Sequence, residues 1–501
     1  MTGAMREATI SRKPNVLIVL VDQMRRQAMG CAGDEQAQTP NLDRFAGEGA
    51  SMDCAVSNIP VCTPARACLL TGRYPLTHTV LTNNSMLPPD MPSMGKMMKA
   101  DGYATGYIGK WHLAGESFIG ATKYNGGHEG YIPPGEMRHG FDYWAVHHCS
   151  HKYRNAFYYR DDPVPIQING WEPDGQTDLA IDFVRRHAAD CQKKPFFLVV
   201  SWGTPHTPFS APPEFERLFD PGAMRFRENV EMSESILKCD NRLREITDPE
   251  EALRIYTARY YASIANIDWN FGRLLEALDR LGLRNDTILI FTSDHGEMLG
   301  SHGQMHKVQP WDESIRIPFL IRYPGHVKRG LRSDAPFSLT DVPPTAMGLA
   351  GMSIPSGIEG ADFSPMLRGL PMRAPESSFL LWPCNAVTWG KRWGNCADEP
   401  RGYPAGFMRA YRGIRTGKHT YVRDRNGPWF LYDNTSDPFQ KNNLVAKGGG
   451  RAVPPELEKM LADWLARTGD AFEDSSFYQD NIDLETGLAT DRGLFLRRTT
   501  R

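Results

Sequence analysis

Unbroken apolar runs of strand length recur along the chain, and each one stops at a polar cluster. Asn15 to Val21 ends in Asp22-Gln23, and Tyr103 to Gly109 ends in Lys110-Trp111-His112. Pro195 to Trp202 runs into Gly203-Thr204-Pro205-His206, and Thr287 to Thr292 into Ser293-Asp294-His295. Runs of this length without alternation read as strands buried on both faces, the pattern of a parallel sheet covered by helices. A further strand closes the series within Glu313 to Ile321. Helical signals lie between the runs. They include the Thr39-Pro40 opening, Cys62 to Thr71, Pro92 to Ala100 and Thr177 to Cys191. A long helix opens at Asp248-Pro249, with Glu251 completing a capping box, and runs toward Leu281; another starts at Thr340 to Thr345.

The pattern changes near Ala374. Residues 379–382, 411–416, 420–423 and 429–432 read as short strands separated by turn residues, and Pro455 to Ala466 as an amphipathic helix. The predicted fold class is α/β: a large, mixed, mostly parallel sheet sandwiched by helices, with a smaller C-terminal antiparallel-sheet subdomain. The expected division is an extension over 1–14, a large α/β domain over 15–373, an α+β subdomain over 374–469 and a tail over 470–501. The tail reads equally as a frayed end or as an arm that packs on a second copy in a homo-oligomer. Ala114 to Asp174 lacks regular periodicity but is rich in His, Tyr and Arg, among them His128, Tyr131, His147, His148, His151 and Tyr153. Disordered segments are poor in aromatics, so an ordered insertion is expected, lining a substrate pocket or packed on its own tyrosines.

Composition narrows the class without naming a function. The 501 residues suffice for two or more domains, and 41% apolar with 23% charged residues is ordinary for a globular chain. A net charge of −2 gives no sign of a nucleic-acid or membrane partner. The 9 cysteines are scattered without paired spacing, which argues for a reducing compartment. The first apolar run is too short for a signal sequence, and no stretch is long enough to span a bilayer, so a cytoplasmic protein is expected.

Asp22, Lys110, His206 and Asp294 all fall at the C-terminal ends of strands, the edge where open α/β sheets bind ligands. Three of them have a structural alternative: a helix N-cap for Asp22, a surface lysine for Lys110, a satisfied loop residue for His206. Cys62 sits at a helix start, with Pro64 in the first turn and Gly72 as C-terminal cap. Free backbone N–H groups there favour an anion or a low-pKa nucleophile, so Cys62 reads as an activated thiol at an exposed helix start, or as a buried cysteine of a capped helix.

The motif set resembles that of the type I, formylglycine-dependent sulfatases of the alkaline phosphatase superfamily. Cys62-x-Pro64-x-Arg66 followed by Leu69-Leu70-Thr71-Gly72-Arg73 carries most of the likeness. Thr39-Pro40-Asn41-Leu42-Asp43-Arg44-Phe45, Gly109-Lys110-Trp111-His112, Pro205-His206-x-Pro208 and Asp294-His295-Gly296 followed by Lys307 extend it in the family's order across Asn15 to Leu444. The resemblance implies that a sulfatase-maturing enzyme converts Cys62 to formylglycine, whose hydrate is the nucleophile. It implies a divalent metal, Ca²⁺ first and Mn²⁺ or Mg²⁺ next, held by Asp22, Gln23, Asp294 and His295 with the modified Cys62. Gln23 replaces the second aspartate of the usual Asp pair. Arg66 and Lys110 would position the nucleophile, Lys110, His206 and Lys307 would bind the sulfate, His206 with Lys307 would protonate the leaving oxygen, and His112 would take a proton from the formylglycine hydroxyl. His302 and His306 carry no assigned role.

Three readings stay open. The first is a sulfatase acting on a small-molecule sulfate ester, with the aromatic insertion favouring a sulfated sugar. The second is a phosphonate monoester or phosphodiester hydrolase of the same superfamily. The third is a non-catalytic anion-binding protein with Cys62 unconverted.

Overall fold

The computed structural model describes residues 13–115, 130–190, 194–383, 409–447, 453–473, 477–478, 481 and 488–490. Its centre is an eight-stranded sheet. In chain order the strands are β1 (Asn15–Val21), β2 (Ala50–Met52), β3 (Ala104–Lys110), β4 (Tyr143–His147), β5 (Phe196–Trp202), β6 (Thr287–Ser293), β7 (Phe319–Arg322) and β8 (Leu331–Ser333). Across the sheet they run β8-β2-β7-β6-β1-β5-β3-β4. The five from β6 to β4 are mutually parallel, and β7 is antiparallel to both its neighbours.

The continuous apolar runs have a direct cause here. Val16, Ile18 and Leu20 of β1 face one core, with helices α2 (Cys62–Thr71) and α6 (Val342–Ala350). Leu17, Val19 and Val21 face the other, with α1 (Pro40–Glu48), α4 (Glu172–Ala189) and the 32-residue α5 (Pro249–Arg280). Helix α3 (Met94–Ala100) packs beside β3. Both faces are dry, so no polar alternation is needed.

Four strands, β9 (Ser378–Trp382), β10 (Tyr411–Arg415), β11 (His419–Asp424) and β12 (Gly427–Asp433), form the separate antiparallel sheet in sequential order. One face joins the first core through Leu380, Trp382, Tyr411, Val422 and Phe430. The other packs on α7 (Pro455–Thr468) through Phe379, Ile414, Leu457 and Trp464. The start of the C-terminal tail docks on this sheet within its own chain. Asp470 pairs with buried Arg412, whose Nη2 also donates to the Tyr478 hydroxyl at 3.2 Å.

A buried charge cluster ties the small sheet to the large one. Arg415 Nε and Nη2 donate to the two oxygens of Asp312 at 3.0 and 3.1 Å, and Arg316 adds a third bond at 3.0 Å. Burial would raise the Asp312 carboxyl, but Arg415 and Arg316 hold it below its ordinary range. Breaking a buried pair by removing one partner costs about 3–5 kcal/mol. Arg415→Met should therefore lower the unfolding free energy from denaturant titration by that order; an unchanged value would mean that Arg316 alone neutralises Asp312.

Three expectations change. Residues 114–174 are not one insertion: Tyr143–His147 is the edge strand β4 of the main sheet, paired in parallel with β3. Helix α4 starts at Glu172, with Pro173 in its first turn, rather than at Thr177. At α5, Asp248 accepts from Glu250 N at 3.0 Å, so the cap is an Asx-type bond two residues on. His128, Cys191, Trp389, Lys391, Arg392 and Trp393, the last four expected from the sequence in a loop reaching over the active site, lie outside the described residues.

Candidate active site

Strand register brings the site together. Val21 is level with both Trp202 and Ser293, and Gly109 with Ser201. Asp22, Asp294 and Lys110 therefore emerge side by side at one edge of the sheet. Gln23 turns there with φ 69, a left-handed conformation unusual for a non-glycine residue. Its backbone N–H donates to Asp294 Oδ1 at 3.1 Å, which locks the two strand exits together.

Helix α2 points its N-terminus at this edge. Asn83 supplies its cap from outside, accepting from Thr63 N at 3.1 Å. Cys62 is 1% exposed, not at an open helix start, because the whole of α2 is buried. Cys62 Sγ lies 3.2 Å from His295 Nε2, 3.6 Å from Lys307 Nζ and 3.7 Å from Asp22 Oδ1. Burial and the Asp22 charge push the thiol up; Lys110, Lys307 and His295 outweigh them and lower it below its ordinary value. The sulfur is poised toward thiolate by its neighbours.

Arg66 is one helical turn on, and it organises the carboxylates. It donates to Asp22 Oδ2 and Asp294 Oδ2, each at 3.0 Å, and to Ser201 Oγ at 2.7 Å. Lys110 Nζ completes the group, 2.7 Å from Asp22 Oδ2. All four charged side chains are 0–1% exposed. Burial alone would raise the Asp22 carboxyl; Lys110, His206, Arg66 and His295 hold it well below the usual range. Burial would lower Lys110, and Asp22 raises it.

The two basic groups farther along the chain, His206 and Lys307, meet beside the sulfur. Lys307 Nζ is 2.6 Å from Gln23 Oε1 and 2.7 Å from His206 Nε2. His206 Nδ1 lies 2.6 Å from the Thr207 carbonyl, so Nδ1–H donates there and Nε2 accepts from the ammonium. Burial, Lys307 and His151 keep His206 neutral, well below the ordinary imidazole value.

His112 is buried on the exit of β3 with φ 55, its N–H donating to the His148 carbonyl at 2.7 Å and its ring edge-on to His148. His302 stacks on Trp311 and contacts Asn229, and the N–H of His306 donates to Glu297 at 2.6 Å. His147 lies 2.6 Å from Glu172. His151 stacks on His206 with ring centroids 4.4 Å apart, and Tyr153 donates to the Gly203 carbonyl at 3.2 Å. Ser201, Asn83 and Glu297 were not legible in advance. Serine at a strand end, asparagine in a loop and glutamate three residues after Asp294 are common and carry no signal of their own.

The donor set fits a divalent cation. Asp22, Cys62, Asp294 and His295 each offer one ligand atom, and these atoms lie within 4.8 Å of one another. His295 Nδ1–H donates to the Gly296 carbonyl at 3.0 Å, which leaves the Nε2 lone pair facing the carboxylates. The Arg66 and Lys110 bonds fall on the Oδ2 atoms, away from that centre.

The chain matches the Sulfatase family model over residues 14–352. It is 37% identical over 471 residues to the ulvan-active sulfatase of Formosa agariphila, covering 93% of this chain and 84% of that protein. It is 29% identical over 513 residues to an endo-4-O-sulfatase of Bacteroides thetaiotaomicron, covering 94% and 95%. A solved structure described under the metabolism of multiple glycosaminoglycans by that bacterium is similar with a TM-score of 0.76 and 27% identity, covering 94% of this chain and 98% of that one. A buried cysteine facing paired carboxylates at a parallel-sheet edge is thus accompanied by likeness along nearly the whole chain, and the protein belongs to the sulfatase family: it is a sulfuric ester hydrolase.

Proposed function

We propose that this enzyme removes sulfate from a sulfated carbohydrate through a formylglycine made from Cys62. The carrying observation is the position of Cys62 Sγ, within 3.7 Å of Asp22, His295 and Lys307. The carbohydrate reading draws on relatives named for ulvan and for endo-4-O-sulfate removal. Conversion calls for a sulfatase-maturing enzyme as a partner, and the expected compartment is the cytoplasm.

Asp22, Gln23, Asp294 and His295, with the modified Cys62, would hold a divalent cation. Ca²⁺ suits the oxygen-rich set, with Mn²⁺ or Mg²⁺ next because of the single imidazole. When bound, the metal supplies Lewis-acid polarisation and the hydrated aldehyde supplies the nucleophile. The rest is done by side chains already in place. Arg66 fixes both carboxylates. Lys110 and Lys307 bring positive charge to the sulfuryl oxygens, in a site dry enough for that charge to count. The leaving oxygen takes its proton from Lys307 rather than from His206, because His206 accepts from the ammonium in this geometry. His112 is the base for sulfate release.

Intact-mass measurement on the parent should show Cys62 converted from thiol to aldehyde. A free thiol in fully active enzyme would end the formylglycine reading. A sulfate monoester carries one negative charge and a phosphate monoester nearly two. On matched leaving groups, kcat/KM should fall from sulfate monoester to phosphonate monoester or phosphodiester, then to phosphate monoester. A panel led by the phosphonate or the diester would reassign the enzyme within its superfamily.

A further inference from the structure

Gln23 carries an amide whose two ends are alike in shape and opposite in hydrogen bonding. Its neighbours settle which end faces which way. Lys307 Nζ can only donate, and it lies 2.6 Å from Gln23 Oε1. On the other side, Glu297 Oε2 accepts from Gln23 Nε2 at 2.5 Å. The second oxygen, Glu297 Oε1, accepts from the backbone of Leu299 at 2.9 Å and of His306 at 2.6 Å.

These bonds close a ring. It runs from Gln23 to Glu297, from Glu297 to the His306 backbone, one residue along the chain to Lys307, and back to Gln23. Gln23 and Glu297 are 0% exposed, so water does not compete. The chain around the ring is held in an unfavourable shape. Gln23, Leu299, His306 and Val308 have φ of 69, 45, 66 and 74, all left-handed. Such positions cost about 1–3 kcal/mol each and persist only where surrounding bonds over-determine them.

We propose that Glu297 is a positioning residue for sulfate ester hydrolysis. It holds the Gln23 oxygen toward Lys307, and through the His306 backbone it holds Lys307 against Cys62 and His206. The activity readout rests on the role given to Lys307 above; the geometry does not.

A double-mutant cycle with Glu297→Gln and Gln23→Glu tests this. In Glu297→Gln the new amide oxygen must still accept from Leu299 and His306, so its NH₂ faces Gln23. Gln23 then has to turn its oxygen to that NH₂ and present its own NH₂ to the Lys307 ammonium. In Gln23→Glu alone, two carboxylates face each other. Each single variant should lose about 10- to 100-fold in kcat/KM. In the double variant the carboxylate introduced at position 23 accepts from the amide introduced at position 297 on one side and from Lys307 on the other. Activity should then recover at least about tenfold over either single variant. A residue that merely fills space would give additive losses, and additivity, or parental activity in Glu297→Gln, overturns the proposal. The same cycle read as thermal midpoints needs neither a converted Cys62 nor a metal: both singles should melt lower and the double should regain the difference. If Glu297→Gln yields no folded protein, a folded double variant supports the ring and an unfolded one refutes it. Intact mass on every variant separates a failure of the ring from a failure of Cys62 conversion.

Discussion

Cys62→Ala should abolish turnover, lowering kcat by about four orders of magnitude or more, the scale of losing a covalent nucleophile. The fold should survive. The side chain is 1% exposed, but its close neighbours are polar and have other partners: Lys307 keeps Gln23 and His206, and His295 keeps Gly296. Removing one sulfur from such a site should cost about 1 kcal/mol. Cys62→Ser should also fail to turn over, since a serine carries no second hydroxyl on the same carbon from which to release the sulfate. Substantial steady-state activity in Cys62→Ala, with the melting temperature near the parent's, would remove Cys62 from the mechanism.

Asp22→Asn has the second large effect, on stability and rate together. One carboxylate serves Arg66 and Lys110 while facing His295, and all are buried. Arg66 retains Asp294 in the variant, but Lys110 is left with its charge uncompensated, at a cost of about 3–5 kcal/mol. The pH dependence has a definite sign. The folded carboxyl lies below its unfolded value of about 3.9, so its stabilisation is fully present above that pH and is lost as pH falls through the folded value. Denaturant titrations of chelator-treated protein should show a gap between parent and variant that is constant from about pH 5 to 8 and closes in acid. The rate should fall with metal affinity, as expected for a lost anionic ligand. An Asp22→Asn enzyme with parental stability and rate would show that the pairing with Lys110 is dispensable.

The sequence by itself determined the architecture and the identity of most groups at the sheet edge. Strands β1, β3, β5 and β6 were legible because burial on both faces leaves no room for polar alternation, and the run simply ends where the site begins. Cys62, Arg66, Lys110, Asp22 and Asp294 were legible because their spacing is that of a known motif set. Tyr143–His147 was not: five residues at a sheet edge, inside an aromatic-rich stretch, carry too little periodicity to be told from a loop. The depth of Cys62 was hidden as well. A helix start is open or buried according to what packs over it, and here Asn83, Lys307 and His295 do so from distant parts of the chain. Only the tertiary structure decided how the groups are wired: that His206 accepts from Lys307, that Arg66 grips both carboxylates, and that Glu297 sets the Gln23 amide. Those bonds join residues far apart in the chain through left-handed backbone at Gln23 and His306, and local sequence preference opposes that conformation.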